Sequence, residues 1–274
     1  MIQVGGAQLA TVLGDAAANL EKVERIARDT KARYPGLQLL AFPELALSGY
    51  DCGDAFRDLA QTWPTAPEFQ RLSSLAKELE TILVVGYAES TDQDDTLYDS
   101  AAVIDADGAF VGSYRKTHCL DRERPFFENG DDLPVYETTV GRLGVLICWD
   151  SAMPEAARVL ALAGADILVV VAAWEDPYGP DWETVIQARA FENVIPVLGV
   201  NRTGTDVTSV FSGRSRLVDC WGRLVTYLDD EADGVLVGTV DLAETAVARS
   251  GEGSQLRDRR PDLYGSVVAP LPPA

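Results

Sequence analysis

The sequence contains a single histidine, His118, and this scarcity limits the kinds of site that it can build. No cysteines are spaced as CxxC and an HxxxH pair is impossible, so the common zinc-binding motifs are missing. The glycine-rich phosphate-binding motifs of dinucleotide and P-loop folds are missing as well. We therefore expect neither a metal site nor a nucleotide site.

Basic residues are also in the minority, with 23 Lys and Arg against 43 Asp and Glu, and a net charge of −20. Such a field repels polyanions, so we expect no binding to nucleic acid or to anionic membranes. No apolar run approaches the roughly 18 residues that span a membrane, and residues 1–15 lack the pattern of a secretion signal. We expect a cytoplasmic protein, whose acidity serves solubility or, alternatively, adaptation to high salt.

Cysteine is sparse and irregularly spaced. The four cysteines are Cys52, Cys119, Cys148 and Cys220. In a chain of 274 residues without a secretion signal, they are expected to be free thiols in a reducing compartment and not a disulfide framework.

Apolar segments alternate with amphipathic ones along the whole chain. Strands are predicted over residues 2–9, 37–42, 81–87, 143–148, 165–171, 195–201 and 234–242. Helices are predicted after Asp15 and over 67–80, 154–163 and 181–194, the last capped by Asp181, with hairpins at Asp107-Gly108 and near Trp221-Gly222. The pattern predicts one layered α/β (α+β) domain over 1–274, in which 250–274 form an extended tail along a surface or a partner subunit.

Three reactive side chains stand at the ends of predicted strands: Glu44 after LLAFP, Lys116 after AFVGSYR, and Cys148 at the end of LGVLI. If the fold brings them together, the carboxylate can act as general base for the thiol. The lysine would then stabilise both the thiolate and a developing oxyanion. Spacing alone cannot establish this arrangement, because a cysteine that ends a buried strand is more often structural.

The local sequences around these residues are more specific. The segments that carry them are AFPELALSGY (41–50), YRKTHCL (114–120) and GRLGVLICWDSAMPE (141–155). In order and spacing they resemble the three signature blocks of the nitrilase superfamily of carbon–nitrogen hydrolases. The resemblance places the glutamate, lysine and cysteine of that family on Glu44, Lys116 and Cys148.

Further segments extend the resemblance over nearly the whole chain. RERPFFENG (122–130) is similar to the family segment with a second active-site glutamate, which falls on Glu123. RAFENVIPVLGVNRTG (189–204) and RDRRPDLYG (257–265) resemble later blocks, the second typical of the amidase branch. The resemblance implies a four-layer αββα sandwich, no cofactor, no metal, and a homodimer or higher homo-oligomer formed through helices beside the active site.

The resemblance also implies a mechanism through a cysteine thioester, with the backbone N–H of Trp149 as a second oxyanion donor. The pocket candidates, placed by adjacency to the motifs, are Tyr50, Trp149, Ala172, Ala173, Trp174 and Asn201. Trp174 has core packing as an equal alternative. Arg202 is equally suited to a structural ion pair.

The substrate class follows from small differences within the resemblance. Nitrilases proper usually carry Cys-Trp-Glu, whereas this chain has Asp150 at the third position. The expected reaction is hydrolysis of a small amide to a carboxylic acid and ammonia. The alternatives are an N-carbamoyl amino acid or amine hydrolase, a nitrilase, and a catalytically silent scaffold. A Cys148–His118 dyad is conceivable, but the resemblance makes His118 supporting scaffold.

Overall fold

The structure is a computed structural model that describes residues 1–91, 95–229 and 231–269. Its strands are β1 (Ile2–Gln8), β2 (Leu37–Ala41), β3 (Ile82–Ser90), β4 (Leu97–Ile104), β5 (Phe110–Arg115), β6 (Val135–Thr138), β7 (Gly141–Ile147), β8 (Ile167–Ala172), β9 (Val197–Asn201), β10 (Thr203–Thr205), β11 (Val210–Ser212), β12 (Arg216–Val218), β13 (Leu224–Tyr227) and β14 (Gly234–Val240). Its helices are α1 (Ala16–Arg33), α2 (Phe56–Leu59), α3 (Pro67–Leu79), α4 (Pro154–Leu162), α5 (Gly179–Asn193) and α6 (Leu242–Ser250).

Within these described ranges the strands form two six-stranded sheets and one small hairpin. The first sheet has the order β14-β1-β2-β3-β4-β5, and the second has the order β13-β12-β9-β8-β7-β6. In each sheet three central strands are parallel, β1-β2-β3 in one and β7-β8-β9 in the other. The carboxyl ends of the parallel strands are where ligand sites form in sheets of this kind.

The two sheets pack face to face between helices. One apolar core joins Val4 and Val84 of the first sheet to Val145 and Val170 of the second. A separate core packs α1 and α3 on the outer face of the first sheet, while α4 and α5 add their apolar sides to the second. The predicted αββα sandwich is therefore confirmed.

The element bounds depart from the predictions at a few places. Helix α5 begins at Gly179, two residues earlier than predicted, so Asp181 lies in its first turn and does not cap it. Helix α6 was not predicted; the carboxylate of Asp241 caps it by accepting from the N–H groups of Ala243 and Glu244. The strand predicted over 234–242 is therefore too long, because β14 stops at Val240 and Leu242 begins the helix.

The end of β7 and the C-terminal tail also differ in detail from the predictions. The strand predicted over 143–148 stops at Ile147, and Cys148 opens a short 3-10 turn over Cys148–Ala152. The predicted tail holds two further 3-10 turns, Pro261–Leu263 and Gly265–Val268, while residues 270–274 lie outside the described ranges. Among the described helices none combines the length and the apolar character that crossing a membrane requires.

Candidate active site

Three strand ends of the sandwich place Glu44, Lys116 and Cys148 in one buried region. Glu44 stands three residues after β2, Lys116 directly after β5, and Cys148 directly after β7. Glu44 and Lys116 are fully buried, and Cys148 is 5% exposed. The turn that carries Glu44 lies so close to β3 that a Cβ at Gly86 would sit 2.2 Å from the carbonyl oxygen of Pro43. Only glycine at that position lets the turn approach the sheet.

The ammonium group of Lys116 is the centre of the site. Its Nζ donates to Glu44 Oε1 at 2.5 Å and to Glu123 Oε1 at 2.8 Å. It also lies 3.4 Å from Oδ2 of Asp99, a buried residue of β4. The described residues contain one group of three carboxylates spaced closely enough to hold a metal ion, and it consists of these same acids. The Nζ of Lys116 lies beside all three, so the positive charge between these carboxylates is that of the lysine.

The electrostatics favour an ionised Glu44–Lys116 pair. Burial would raise the pKa of Glu44, but the charge of Lys116 and several hydrogen bonds hold it below its usual value. Burial would lower the pKa of Lys116, but the surrounding carboxylates, led by Glu44, raise it well above its usual value.

The thiol of Cys148 has the opposite tendency. Burial and then the negative charge of Glu44 raise the pKa of Cys148 well above its usual value, while Lys116 and the N–H of Ala173 partly offset this effect. The resting site therefore holds a neutral thiol beside an ionised carboxylate, which is the starting state for proton transfer from sulfur to oxygen.

The N–H of Ala173 ties the carboxylate to the second sheet. It follows β8 and donates to Glu44 Oε2 at 2.5 Å. The two oxygens of Glu44 thus have different partners, Lys116 on one side and the backbone of the opposite sheet on the other. This bridge fixes the orientation of the carboxylate across the gap between the sheets.

Glu123 is fixed from three directions. Besides Lys116, it accepts from the hydroxyl of Tyr50 at 2.5 Å and from the N–H of Leu120 at 2.8 Å. Burial raises the pKa of Tyr50 far above its usual value, so the phenol remains a donor. Arg122 donates to the Tyr50 oxygen at 3.1 Å and pairs with Glu175 at 2.7 Å. Tyr50 is therefore engaged with Glu123 and is not among the residues that line the cavity beside Cys148.

The turn that presents Cys148 is held by Asp150. Cys148 adopts φ = 45°, a left-handed conformation that is strained for a residue with a side chain and recurs at functional sites. The buried carboxylate of Asp150 accepts from the N–H of Ile147 at 3.1 Å and from the hydroxyl of Tyr114 at 2.8 Å. It thus joins the cysteine turn to β5, which leads to Lys116.

Asp150 also accounts for His118. Its Oδ1 lies 2.8 Å from Nδ1 of His118 and accepts from the backbone N–H of the same residue at 2.9 Å. The hydrogen bond to Asp150 raises the pKa of His118, even though partial burial opposes this. The imidazole is therefore engaged with a structural carboxylate, and the geometry gives no support to a Cys148–His118 dyad.

A cavity of about 590 Å³ opens onto the thiol. Its lining residues are Leu120, Arg122, Cys148, Trp149, Ala152, Ala173, Trp174, Glu175, Tyr178, Asp181 and Val185. The rings of Trp149 and Trp174 lie 5.9 Å apart, the first 37% exposed and the second nearly buried. Trp149 also occupies the start of the 3-10 turn, where backbone N–H groups have no partner within the turn.

The remaining sequence candidates lie one layer behind this cavity. The side-chain amide of Asn201 accepts from the N–H of Trp174 at 2.7 Å and donates to its carbonyl at 3.0 Å, so it shapes the segment that carries Trp174. Ala172 is fully buried at the end of β8. Arg202 forms a buried bidentate ion pair with Asp206, at 2.6 and 2.8 Å, which corresponds to the structural alternative.

The sequence predictions did not include Asp99 or much of the cavity lining, such as Arg122, Glu175 and Tyr178. Asp99 belongs to LYDSAAVI, where a carboxylate interrupts an apolar strand; that contrast was the available signal, because buried charges need partners. Arg122 precedes Glu123 in the quoted RERPFFENG segment, but only the fold shows that it lines the cavity.

Comparisons with known proteins show the family of the chain. The model of the carbon-nitrogen hydrolase family matches residues 3–250. A probable nitrilase of Schizosaccharomyces pombe is 40% identical over 96% of this chain and 97% of its own length. A citrullinase of Francisella tularensis is 35% identical over 92% of this chain and 93% of its own. An N-carbamoylputrescine amidase of Solanum lycopersicum is 35% identical over 91% and 89%.

Several solved structures share the fold of this chain. A carbon-nitrogen hydrolase from Helicobacter pylori superposes with a TM-score of 0.90 at 27% identity, covering 98% of both chains. A mutant amidase from Nesterenkonia superposes with a TM-score of 0.82 at 25% identity, covering 96% of this chain and 95% of its own. That structure carries the acetamide moiety of fluoroacetamide on its active-site cysteine. The chain described here belongs to the carbon-nitrogen hydrolase family of the nitrilase superfamily.

Proposed function

We propose that this enzyme hydrolyses a small amide to a carboxylic acid and ammonia through a thioester on Cys148. The observation that carries the proposal is the buried Glu44–Lys116 pair, joined at 2.5 Å, beside a thiol that opens onto a cavity of about 590 Å³. A base, a fixed cation and a nucleophile thus meet at a space large enough for a small molecule.

In the acylation step, Glu44 takes the proton of the Cys148 thiol while the sulfur attacks the amide carbonyl carbon. A C–S bond forms and the carbonyl electrons move to oxygen, where Lys116 and the backbone N–H of Trp149 stabilise the charge. Glu44 then returns its proton to the amide nitrogen, the C–N bond breaks, and ammonia leaves. Deprotonating the thiol only during attack suits the raised pKa of Cys148, since a permanent thiolate would be costly there.

In the deacylation step, Glu44 removes a proton from a water molecule that attacks the thioester carbonyl. The C–S bond breaks, the proton passes to the sulfur, and the carboxylic acid leaves. Glu123 keeps Lys116 in place through both steps, because its Oε1 accepts from Nζ while Tyr50 and Leu120 hold its orientation.

The cavity supports small acyl groups. Trp149, Trp174 and Tyr178 supply aromatic surface, and Ala152 and Ala173 leave space beside the thiol. The known relatives include proteins named as a nitrilase, a citrullinase and an N-carbamoylputrescine amidase, so the family name alone leaves the scissile bond open. In the sequence, Asp150 favours an amidase or a carbamoylase over a nitrilase, and the RERPFFENG segment favours the amidase.

A second candidate is hydrolysis of an N-carbamoyl amine, and the charges of the cavity favour it over an N-carbamoyl amino acid. The lining holds Arg122 with two carboxylates, Glu175 and Asp181, and Arg122 is already paired with Glu175. This leaves an excess of one negative charge, which attracts an ammonium group and repels a carboxylate. The aromatic rings of the same wall add a favourable surface for a cation.

The test is a substrate panel measured by ammonia release. It compares aliphatic amides, amino acid amides, N-carbamoyl amines, N-carbamoyl amino acids and nitriles. The proposal expects the highest kcat/KM for an amide, and the second candidate expects it for an N-carbamoyl amine. A preference for nitriles, or no turnover of any compound, would contradict the proposal. The variant Cys148→Ala measures background release.

Helices α4 and α5 together expose an apolar face. Val159 and Leu162 on α4 and Phe191 on α5 are each 45% to 53% exposed, which is unusual for apolar side chains. We propose that a second copy of the chain covers this face as a homodimer. Light scattering is expected to give a dimer mass for the wild type and a monomer mass for Phe191→Asp; a monomeric wild type would contradict the proposed homodimer.

The four free thiols support a reducing, cytoplasmic location.

A further inference from the structure

Asp99 is a third carboxyl group in the site, and its surroundings differ from those of the other two. It lies on β4, is 1% exposed, and its backbone carbonyl accepts from the N–H of Lys116 at 2.8 Å. Neither of its side-chain oxygens has a hydrogen-bond donor of good geometry. Glu44, by contrast, accepts two hydrogen bonds, and Glu123 accepts three.

The donors of Lys116 are already directed elsewhere. Its Nζ lies 2.5 Å from Glu44 and 2.8 Å from Glu123, but 3.4 Å from Asp99. An ionised Asp99 would be a buried anion without a close donor and beside two other carboxylates, which is a costly state. A neutral Asp99 needs only an acceptor for its O–H, and Glu44 supplies one, because its carboxylate belongs to the same buried cluster and is in side-chain hydrogen-bond contact with Asp99.

We propose that Asp99 is a positioning residue of this site, which remains a neutral acid and donates a hydrogen bond to the carboxylate of Glu44. Through this bond it keeps Glu44 ionised and oriented toward Cys148. The inference rests on the proposed role of Glu44 as general base. Asp99 does not line the cavity, so it acts on the reaction only through Glu44.

The charges around Asp99 support this assignment. Burial and then the charge of Glu44 raise the pKa of Asp99 well above its usual value; Glu123 adds to the increase and Lys116 opposes it. Cys119, on the loop after β5, also lies within electrostatic range and is itself kept neutral by burial, which raises its pKa to about 12. The hydrogen bond from Asp99 in turn lowers the pKa of Glu44.

Two substitutions separate a neutral donor from a negative charge. In Asp99→Asn the amide N–H replaces the acid O–H in nearly the same place, so kcat/KM is expected to stay within about threefold of the wild type. In Asp99→Ala the donor is lost, and kcat is expected to fall about 100-fold with little change in KM. The acid limb of the pH profile of kcat/KM should also move to higher pH in Asp99→Ala, because Glu44 loses the bond that lowers its pKa.

Several outcomes would overturn the inference. If Asp99→Asn is as impaired as Asp99→Ala, the negative charge matters and Asp99 is an anion. An unchanged acid limb in Asp99→Ala would show that no donor to Glu44 was lost. An infrared spectrum of the wild type should show a protonated carboxyl band that is missing in Asp99→Asn, and its absence from the wild type would refute the neutral acid even if Asp99→Ala fails to fold. Failure of the proposed function is distinct, since the wild type would then release no ammonia from any compound of the panel.

Discussion

The ammonium nitrogen of Lys116 lies 2.5 Å from Oε1 of Glu44, and neither side chain is exposed to solvent. These two residues come from strand ends on separate segments of the first sheet, and Cys148 meets them from the second. Because the proposed mechanism uses these same buried charges, a substitution in the pair should affect both turnover and the stability of the fold.

Replacing Lys116 by Met should destabilise the protein and abolish turnover. The substitution leaves the carboxylates of Glu44 and Glu123 buried without their cation. Breaking a buried pair in this way costs about 3–5 kcal/mol. Urea unfolding measures the loss, and Lys77→Met, at an exposed position of α3, is the matched control. A change below about 1 kcal/mol in Lys116→Met would contradict the role of Lys116 as the central cation, since surface pairs have values of that size.

Replacing Asp150 by Ala should weaken the turn that presents Cys148. The buried N–H of Ile147 would lose its acceptor, at about 1–3 kcal/mol, while the Tyr114 hydroxyl would retain only the hydroxyl of Thr117 at 3.1 Å. Turnover should fall together with stability, because the cysteine turn and the segment after β5 are no longer joined. A variant with normal unfolding but no turnover would instead indicate a direct role for Asp150 in the chemistry.

The stabilising effect of His118 should depend on pH with a defined sign. The hydrogen bond to Asp150 raises the pKa of the folded-state imidazole above its usual value of about 6.5. The contribution is therefore complete below the unfolded pKa and is lost as pH rises through the folded pKa. The difference in Tm between wild type and His118→Asn should be largest near pH 6 and shrink toward about pH 9. A difference that grows with pH would refute this interpretation.

Iodoacetamide, which is itself a small amide, should alkylate Cys148 before the other cysteines. Burial raises the pKa of Cys148, Cys52 and Cys119 alike, but only Cys148 among them opens onto the cavity and has Glu44 beside it to accept the proton. Peptide mass spectrometry over a time course measures the order of labelling. Uniform slow labelling of all four thiols would favour an inactive scaffold.

The layered fold and the region of the site could be predicted from the sequence because the pattern of apolar strands and the three separate motif blocks are consistent with the same fold. Continuous apolar strands predict parallel strands buried on both faces, and Ile167–Ala172 is fully buried in this way. The motif blocks placed Glu44, Lys116 and Cys148, and the fold brings all three together.

Other features could not be predicted because they depend on contacts across the fold. Asp99 is set among charges from three other segments, and no local pattern in LYDSAAVI shows which acid it faces. Asn201 was placed in the pocket by adjacency, whereas its amide pairs with the backbone of Trp174. Adjacency to a motif gives the neighbourhood of a side chain, but its direction depends on the pairing of β8 with β9.

The most direct test of the account is the rate of ammonia release by Cys148→Ala with the best compound of the panel, measured beside Cys220→Ala. Cys220 belongs to a small separate core with Val194 and Ala248, so it offers a buried thiol of the same kind away from the site. We expect Cys148→Ala to lose turnover by at least about a thousandfold while its circular dichroism stays native, and Cys220→Ala to remain active. Ammonia release by folded Cys148→Ala at the wild-type rate would contradict it.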